Sequence, residues 1–352
     1  MHAPPGPGGA RLLVVDLAAR SHVWQLPPGG ERAIKDGAPP GWEVQVVQAL
    51  TVSDGDGNEA FSDEACSAVA EAEVYVGFGM PRGLFRAARK LRWVHSAAAG
   101  VGALLYPEMR ESEVILTNSA GVHAVPIAEY VVGGVLHFLR GFDVALGQQR
   151  RGVWDKEPFI GAGSRARELG ECRALIVGTG GIGGEVATRF AALGARCVGV
   201  RRRAGLGAPE GFERVVAFEE LDAELPGADV VVLAAPLTPE TRGLLTAGRL
   251  DRLSGDAIVV NVSRGALMDE RALVERLAAG RLRGAVLDVF ETEPLLPESP
   301  LWGMSHVLLT PHVSGVSPRR FWEREIALLI DNWGRYVRGE PLRNLVDKQA
   351  GY

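Results

Sequence analysis

Short apolar runs bounded by glycine, proline and asparagine alternate along this chain with longer stretches in which apolar residues return at helical spacing. The first run, Arg11–Asp16 (RLLVVD), predicts a strand, and residues 42–47 alternate as a second. Between them, Pro27-Pro28-Gly29-Gly30 and Pro39-Pro40-Gly41 break any long helix, so 27–40 is expected to be an exposed loop. Gly55 and Gly57 mark a turn, and Ser62-Asp63-Glu64 opens a helix ending near Glu73. Residues 74–78 predict a strand, 81–91 a helix with proline in its first turn, Trp93-Val94-His95 the start of another strand and 114–117 one more. Asn118-Ser119-Ala120-Gly121 reads as a loop. Strands alternating with helices build a parallel sheet, so this portion forms a small α/β domain.

From Ala124 to about Leu139 apolar residues occupy nearly every face, which predicts a long helix buried on both sides between two domains. Residues 150–172 are a polar, glycine-bearing passage. Then comes RALIVGTGGIGGEVATRFAALGARCVGVRRR over 173–203: a strand from Ala174 to Val177, a Gly178-x-Gly180-x-x-Gly183 turn, a helix (Val186, Phe190, Leu193) stopping at Gly194, and a strand from Cys197. Further strands are expected at 228–235, 257–262, 284–289 and 307–309, with a helix at 270–279. Six strands joined mostly by helices make a doubly wound nucleotide domain over 120–311. Residues 318–338 have helical spacing (Phe321, Ile326, Leu329, Ile330, Trp333, Val337) and stop at Gly339. A helix returning there to the first domain would make that domain discontinuous, 1–119 plus 312–352.

A chain of 352 residues exceeds one comfortable core, which agrees with two domains. Hydrophobic residues at 47% and charged ones at 23% describe a soluble globular protein and argue against disorder. A net charge of -5 supplies no footprint for nucleic acid or an anionic membrane. Cys66, Cys172 and Cys197 are scattered, lack metal-ligand spacing and suit a reducing compartment, so they read as small core residues and no metal is expected. The opening MHAPPGPGGA has no cationic region followed by an apolar stretch, and no transmembrane-length apolar window follows. The expectation is a cytoplasmic protein with a short disordered leader.

The glycine turn carries the first piece of chemistry. Gly178 makes the tight turn, Gly180 lets the backbone approach a pyrophosphate and Gly183 allows close helix-on-sheet packing, with Thr179, Gly181 and Ile182 completing the helix N-terminus that faces the phosphates. Where an aspartate would accept from the ribose 2′-hydroxyl of NAD stands Arg201, followed by Arg202 and Arg203. A guanidinium pairs with a 2′-phosphate, so NADP(H) is the preferred cofactor with NAD(H) possible; the other reading is three arginines on a solvated strand end. Arg264 in Asn261-Val262-Ser263-Arg264-Gly265, Glu293 after Leu287-Asp288-Val289, and His312 in Thr310-Pro311-His312 each leave the end of a strand. Such loops converge on the crevice of an open α/β sheet. Reducing a 2-keto acid by hydride transfer needs a cation for the carboxylate and carbonyl, which Arg264 supplies, and a proton donor for the developing alkoxide. Histidine titrates near neutrality and a neighbouring carboxylate favours its protonated form, which suits His312 beside Glu293.

At these residues the chain resembles the D-isomer-specific 2-hydroxyacid dehydrogenase family. The resemblance rests on Asn118-Ser-Ala-Gly-Val-His-Ala-Val-Pro-Ile-Ala-Glu129, Pro236-Leu-Thr-Pro-Glu-Thr-Arg242, Asn261-Val-Ser-Arg-Gly-Ala266, and Leu287-Asp-Val-Phe-Glu-Thr-Glu-Pro294 with Leu309-Thr-Pro-His312, over about residues 95–345. It implies two Rossmann-like doubly wound parallel-sheet domains of the α/β class, the substrate domain discontinuous. It assigns carboxylate binding to Arg264, proton transfer to His312, pairing with the histidine to Glu293, and the nicotinamide carboxamide to Asp288, with Pro236 and Val262 also beside the cofactor. A homodimer formed through the nucleotide domain, with 140–160 as an arm, is implied as well. Ala98, Ala99 and Gly100 would meet the substrate carboxylate through backbone N–H groups after domain closure. Two departures stand out: Arg201 replaces the family's common aspartate, and Ala97-Ala98-Ala99-Gly100-Val101-Gly102 lacks the frequent Val-Gly-x-Asp wording, leaving room for a side chain larger than that of glyoxylate. The function implied is reduction of glyoxylate, hydroxypyruvate or a bulkier analogue. The alternative is a nucleotide-sensing, corepressor-like binding protein; phosphoglycerate dehydrogenase is a third reading, against which the chain's end soon after Arg338 is set. His95 reads as a hydrogen-bonded structural residue or a substrate contact, His123 as packing at the hinge, and His137 as a core or interface residue.

Overall fold

The computed structural model describes residues 11–53 and 59–351, so the leader and the turn at Gly55 and Gly57 lie outside the described residues. The chain divides into two compact units, Met1–His123 with Val316–Tyr352, and Ala124–Gly315. Both boundaries fall a few residues beyond 119 and 311. His312 therefore belongs to the second unit, because hydrogen bonds from the backbone N–H groups of His312, Val313 and Ser314 tie that segment to Asp288.

The first unit is a parallel sheet in the order Trp42–Val46, Arg11–Asp16, Val74–Gly77, Trp93–Ser96, Ile115–Asn118. Successive residues of Arg11–Asp16 serve opposite cores: Val14 packs with Ala65, Val69, Leu84 and Met109, while Leu13 and Val15 pack with Ile34, Trp93, Phe321 and Trp333. Burial on both faces is why these strands read as continuous apolar runs. The amphipathic helix Phe321–Arg338 covers the second face and stops at Gly339, whose φ of 67° is left-handed. The stretch 27–40 is not the exposed loop expected. It contains the helix Gly30–Asp36 with Ile34 fully buried, because its prolines all lie outside the helical residues and leave its hydrogen bonds intact. The helices Asp63–Ala70 and Arg82–Ala87 end earlier than their apolar spacing suggested.

The second unit is a seven-stranded parallel sheet ordered Arg214–Val216, Arg196–Val200, Arg173–Val177, Val230–Leu233, Ile258–Asn261, Gly284–Leu287, Val307–Leu309. Six strands were expected; the additional edge strand Arg214–Val216 is too short to show a period. The order reverses between Arg173–Val177 and Val230–Leu233, which opens a crevice at their carboxyl ends. Helices Ala124–Leu139 and Gly181–Ala192 cover one face through Val131, Val135, Phe138, Val186 and Phe190. The long helix is not buried on both sides, since Glu129 and Gly133 are exposed. The stretch 140–160 holds the helix Phe142–Arg151.

That helix is pinned by a buried ion pair. Arg283, at the start of strand Gly284–Leu287, donates to both oxygens of Asp143 at 2.8 Å and to the carbonyl of Phe138 at 2.7 Å. Both side chains are about nine-tenths buried, so removing one partner leaves an uncompensated charge. Asp143→Ala is expected to cost about 3–5 kcal/mol, seen as a lower Tm in thermal melting; an unchanged Tm would show the pair to be dispensable.

Candidate active site

The turn after Arg173–Val177 forces glycine by close approach. Gly178 has φ of 100°, and a Cβ on it would stand 2.7 Å from the Ala234 backbone; one on Gly183 would stand 1.8 Å from the Gly178 carbonyl oxygen. Gly180, which precedes the helix Gly181–Ala192, is different, because a Cβ there meets no protein atom within 4 Å. Protein packing thus demands glycine at 178 and 183, while 180 borders open space above the N–H groups of Gly181, Ile182 and Gly183. This cradle fits a dinucleotide pyrophosphate.

Arg201 leaves the strand Arg196–Val200 and turns its guanidinium against this cradle. It donates to Thr179 Oγ1 at 3.2 Å, to the Arg203 carbonyl at 2.9 Å, and to the Gly207 carbonyl. Arg202 and Arg203 are exposed. The Glu240 carboxyl is held below its ordinary value by the Thr238 hydroxyl, its own backbone and the charge of Arg202, which places Arg202 near the 236–241 turn. There Thr241 Oγ1 donates to the Pro236 carbonyl at 2.7 Å. Pro236 is exposed and Val262 buried.

The buried Asn261 shapes the next loop: its Oδ1 accepts from the Ser263 N–H at 3.2 Å and its Nδ2 donates to the Arg264 carbonyl at 3.0 Å. Arg264 is exposed, donates to the Ser263 carbonyl at 2.6 Å, and among the described residues has no carboxylate in ion-pair contact. Gly265 then presses on the loop after the neighbouring strand, since a Cβ there would be 1.9 Å from the Phe290 carbonyl carbon. This approach seats the Arg264 loop against Phe290 and Glu291. Asn261 and Gly265 went unassigned in the sequence although both stand in the Asn-Val-Ser-Arg-Gly wording; their tasks depend on which loops are neighbours.

Glu293 Oε1 accepts from the Phe290 N–H at 3.0 Å, and its Oε2 lies 2.7 Å from His312 Nδ1. A carboxylate at Nδ1 places the imidazole proton there and leaves Nε2 as the working atom. His312 has φ of 55°, a left-handed conformation that costs a non-glycine residue about 1–3 kcal/mol. Asp288 holds it in place. This buried carboxylate accepts from Thr310 Oγ1 (2.5 Å) and Val313 N–H (2.8 Å) on Oδ1, and from Ser314 N–H (2.9 Å) and Oγ (2.5 Å) on Oδ2. Its own carbonyl accepts from the His312 N–H at 2.9 Å. Asp288 was expected at the nicotinamide carboxamide; here both its oxygens anchor 310–314. The structure therefore pairs Glu293 with His312 and packs the Arg264 loop against the same segment.

In the first unit, the loop after Trp93–Ser96 turns carbonyls inward: Ala98 O accepts from Ser119 N–H at 3.3 Å and Ala99 O from Asn118 Nδ2 at 2.8 Å. Ala99 and Gly100 are exposed, and among the described residues their N–H groups meet no acceptor. His95 is fully buried, with Nδ1 at 2.8 Å from Thr117 Oγ1 and Nε2 at 3.1 Å from Glu325 Oε1, so it is a structural residue. His123 stacks on Phe321 at 5.1 Å within the first unit. His137 is half-buried, and burial holds its pKa below the ordinary value. Burial pushes the thiols of Cys172 and Cys197 up to about 11. Among the described residues no His, Cys, Asp or Glu cluster would hold a metal ion, and no helix is long and apolar enough to cross a membrane.

The model of the NAD binding domain of D-isomer specific 2-hydroxyacid dehydrogenases matches residues 132–314, more than half of the chain. The chain belongs to the D-isomer specific 2-hydroxyacid dehydrogenase family. As a member it is an NAD(P)-dependent oxidoreductase. Glyoxylate/hydroxypyruvate reductase A of Salmonella newport is 34% identical over 279 residues, 76% of this chain and 83% of that protein. D-3-phosphoglycerate dehydrogenase of Methanocaldococcus jannaschii is 30% identical over 310 residues, 87% of this chain; the chain spans about half of that relative's length, 55%. The crystal structure of a D-isomer specific 2-hydroxyacid dehydrogenase from Xanthobacter autotrophicus Py2, in complex with NADPH and MES, is 31% identical with a TM-score of 0.77 over 98% of this chain and 100% of that one.

Gly265→Ala is expected to wedge apart the loops that carry Arg264 and Glu293. Circular dichroism should show a folded protein with a lowered Tm, and turnover should fall by at least about tenfold, as a displacement of about 1 Å at a site does. Wild-type turnover in this variant would mean that the loop contact does not govern the site.

Proposed function

We propose that this dehydrogenase transfers a hydride between NADP(H), in preference to NAD(H), and a small 2-keto or D-2-hydroxy acid such as glyoxylate or hydroxypyruvate. The observation that carries the reading is the 2.7 Å Glu293–His312 pair, with His312 on left-handed backbone and the Arg264 loop packed against the Phe290–Glu293 segment, Arg264 having no carboxylate in ion-pair contact among the described residues. The bound nicotinamide supplies or accepts the hydride. Arg264 grips the substrate carboxylate with parallel N–H donors and polarises the keto oxygen. His312, with Glu293 on Nδ1, delivers the Nε2 proton to that oxygen as negative charge develops, and takes it back in the oxidative direction. The N–H groups of Ala99 and Gly100, with Ala98, are the backbone donors assigned to the substrate carboxylate. Arg201, braced on Thr179, meets the 2′-phosphate. The relative named as a glyoxylate/hydroxypyruvate reductase and the NADPH in the Xanthobacter structure support substrate class and cofactor.

Phe142, Leu146, Trp154, Ile160 and Leu193 are exposed large apolar residues of the second unit, and Trp154 is 90% exposed. They support a homodimer formed through that unit. The free thiols support a reducing, cytoplasmic setting, and the net charge of -5 supports a reading without nucleic acid or an anionic membrane as partner.

The test is oxidation of NADPH and, separately, NADH with glyoxylate, hydroxypyruvate, pyruvate and phenylpyruvate. NADPH is expected to be oxidised faster. Arg264→Ala and His312→Ala should each lower kcat/KM by at least about a hundredfold, and near-normal turnover in either variant would refute its role. Cofactor binding without turnover of any keto acid would favour the nucleotide-sensing alternative.

A further inference from the structure

Asp16 closes the strand Arg11–Asp16 at the carboxyl edge of the first unit's sheet and is only 3% exposed. Its Oδ2 lies 2.9 Å from the hydroxyl of Tyr75, a fully buried residue on the adjacent strand. That hydroxyl also lies 3.0 Å from the carbonyl oxygen of Gly79. A phenol has one hydrogen, yet this one faces two acceptors at bonding distance. Both contacts are hydrogen bonds only if Asp16 brings a second hydrogen: its carboxyl O–H donates to Tyr75, and Tyr75 donates to Gly79.

Two further observations agree. Asp16 Oδ1 is buried with only the Thr51 hydroxyl toward it and no full hydrogen bond among the described residues, a costly position for an ionised oxygen and a tolerable one for a neutral carbonyl. Among the described residues the groups facing it are Tyr75, the Thr51 hydroxyl and, from the helix Asp63–Ala70, the like-charged Glu64, with no cation among them. Burial pushes the carboxyl up, beyond what the Thr51 and Tyr75 hydroxyls offset, and Glu64 adds to the rise.

Gly79 belongs to the loop that leaves strand Val74–Gly77, which starts beside the Ala98–Gly100 loop, since Ala97 N–H donates to the Gly77 carbonyl at 2.9 Å. The same loop carries Phe78, met edge-on by Trp24 and Trp322. We infer that Asp16 keeps a carboxylic-acid proton in the folded chain and that the Asp16–Tyr75 pair is a positioning element, fixing the Phe78–Met80 loop beside the backbone proposed to receive the substrate carboxylate. When Asp16 loses its proton, Tyr75 turns its single hydrogen to the carboxylate and releases Gly79. The link to substrate rests on the functional reading above; the buried proton does not.

The sign of the pH dependence follows from the proton count. The folded chain keeps a proton that the unfolded chain gives up, so stability falls as pH rises from the ordinary carboxylate range through the raised value of Asp16, and is level beyond it. Asp16→Asn cannot titrate, and its amide donates to Tyr75 as the protonated acid does. The infrared difference spectrum, wild type minus D16N in mild acid above the ordinary carboxylate range, should contain the C=O stretch of a protonated carboxylic acid. D16N should also melt roughly 2–4 °C above wild type at mildly alkaline pH and close to it in mild acid. With hydroxypyruvate, the wild-type KM should rise about two- to tenfold with pH, the worth of one hydrogen bond, while that of D16N stays level. A missing carboxylic acid band, or a D16N protein less stable than wild type at every pH, would overturn the protonated Asp16. Parallel KM profiles would overturn the positioning role. If no keto acid is turned over at all, the functional reading fails, while the infrared and melting results still decide the state of Asp16.

Discussion

An ionised carboxylate taken out of water must be met by donors, and Asp288 is met by four, all from residues 310–314. Those bonds give a short segment, with no helix or strand of its own, a unique path across the carboxyl end of the sheet. They also hold His312 in a conformation that a free loop would leave. Everything proposed for the histidine depends on this. Glu293 orients the ring only because the backbone beneath the ring is already placed, and the left-handed φ is the local cost of aiming it.

The rest of the second unit's site follows from neighbouring loops approaching more closely than a side chain permits. Gly178 against Ala234, Gly183 against Gly178 and Gly265 against Phe290 are three such approaches along one edge of one sheet. Gly178 and Gly265 bring separate strand ends together, while Gly183 closes the glycine turn upon itself. Parallel strands make this possible, because every strand delivers its carboxyl end to the same edge. Arg201 belongs to the same edge, where its bonds to Thr179 and the 203–207 loop hold it against the cradle rather than in solvent.

The first unit shows polar groups used differently. His95, Thr117, Trp93 and Glu325 form a buried network that fastens the helix Phe321–Arg338 to the sheet, so a histidine beside the Ala98–Gly100 loop serves the fold. Asp16 and Tyr75, on the next two strands, face no cation among the described residues, and neutrality is the state that burial favours for such a carboxyl.

Strand and helix order, the glycine turn and the residues Arg264, Glu293 and His312 were legible in the chain itself, because burial on both faces writes apolar runs and because turns at strand ends need particular residues. Arg201, at a position defined by the glycine turn, lies against it through Thr179. What local pattern could not carry was decided by tertiary structure. The edge strand Arg214–Val216 is too short to have a period, and the helix Gly30–Asp36 hides between prolines that merely border it. The exposed stripe of Glu129 and Gly133 on an otherwise apolar helix depends on what packs around it. The placement of His312 in the second unit, the close approach at Gly265 and the anchoring by Asp288 all join residues far apart in sequence. Such contacts exist only once the sheet has brought its strand ends together, and no run of adjacent residues encodes them alone.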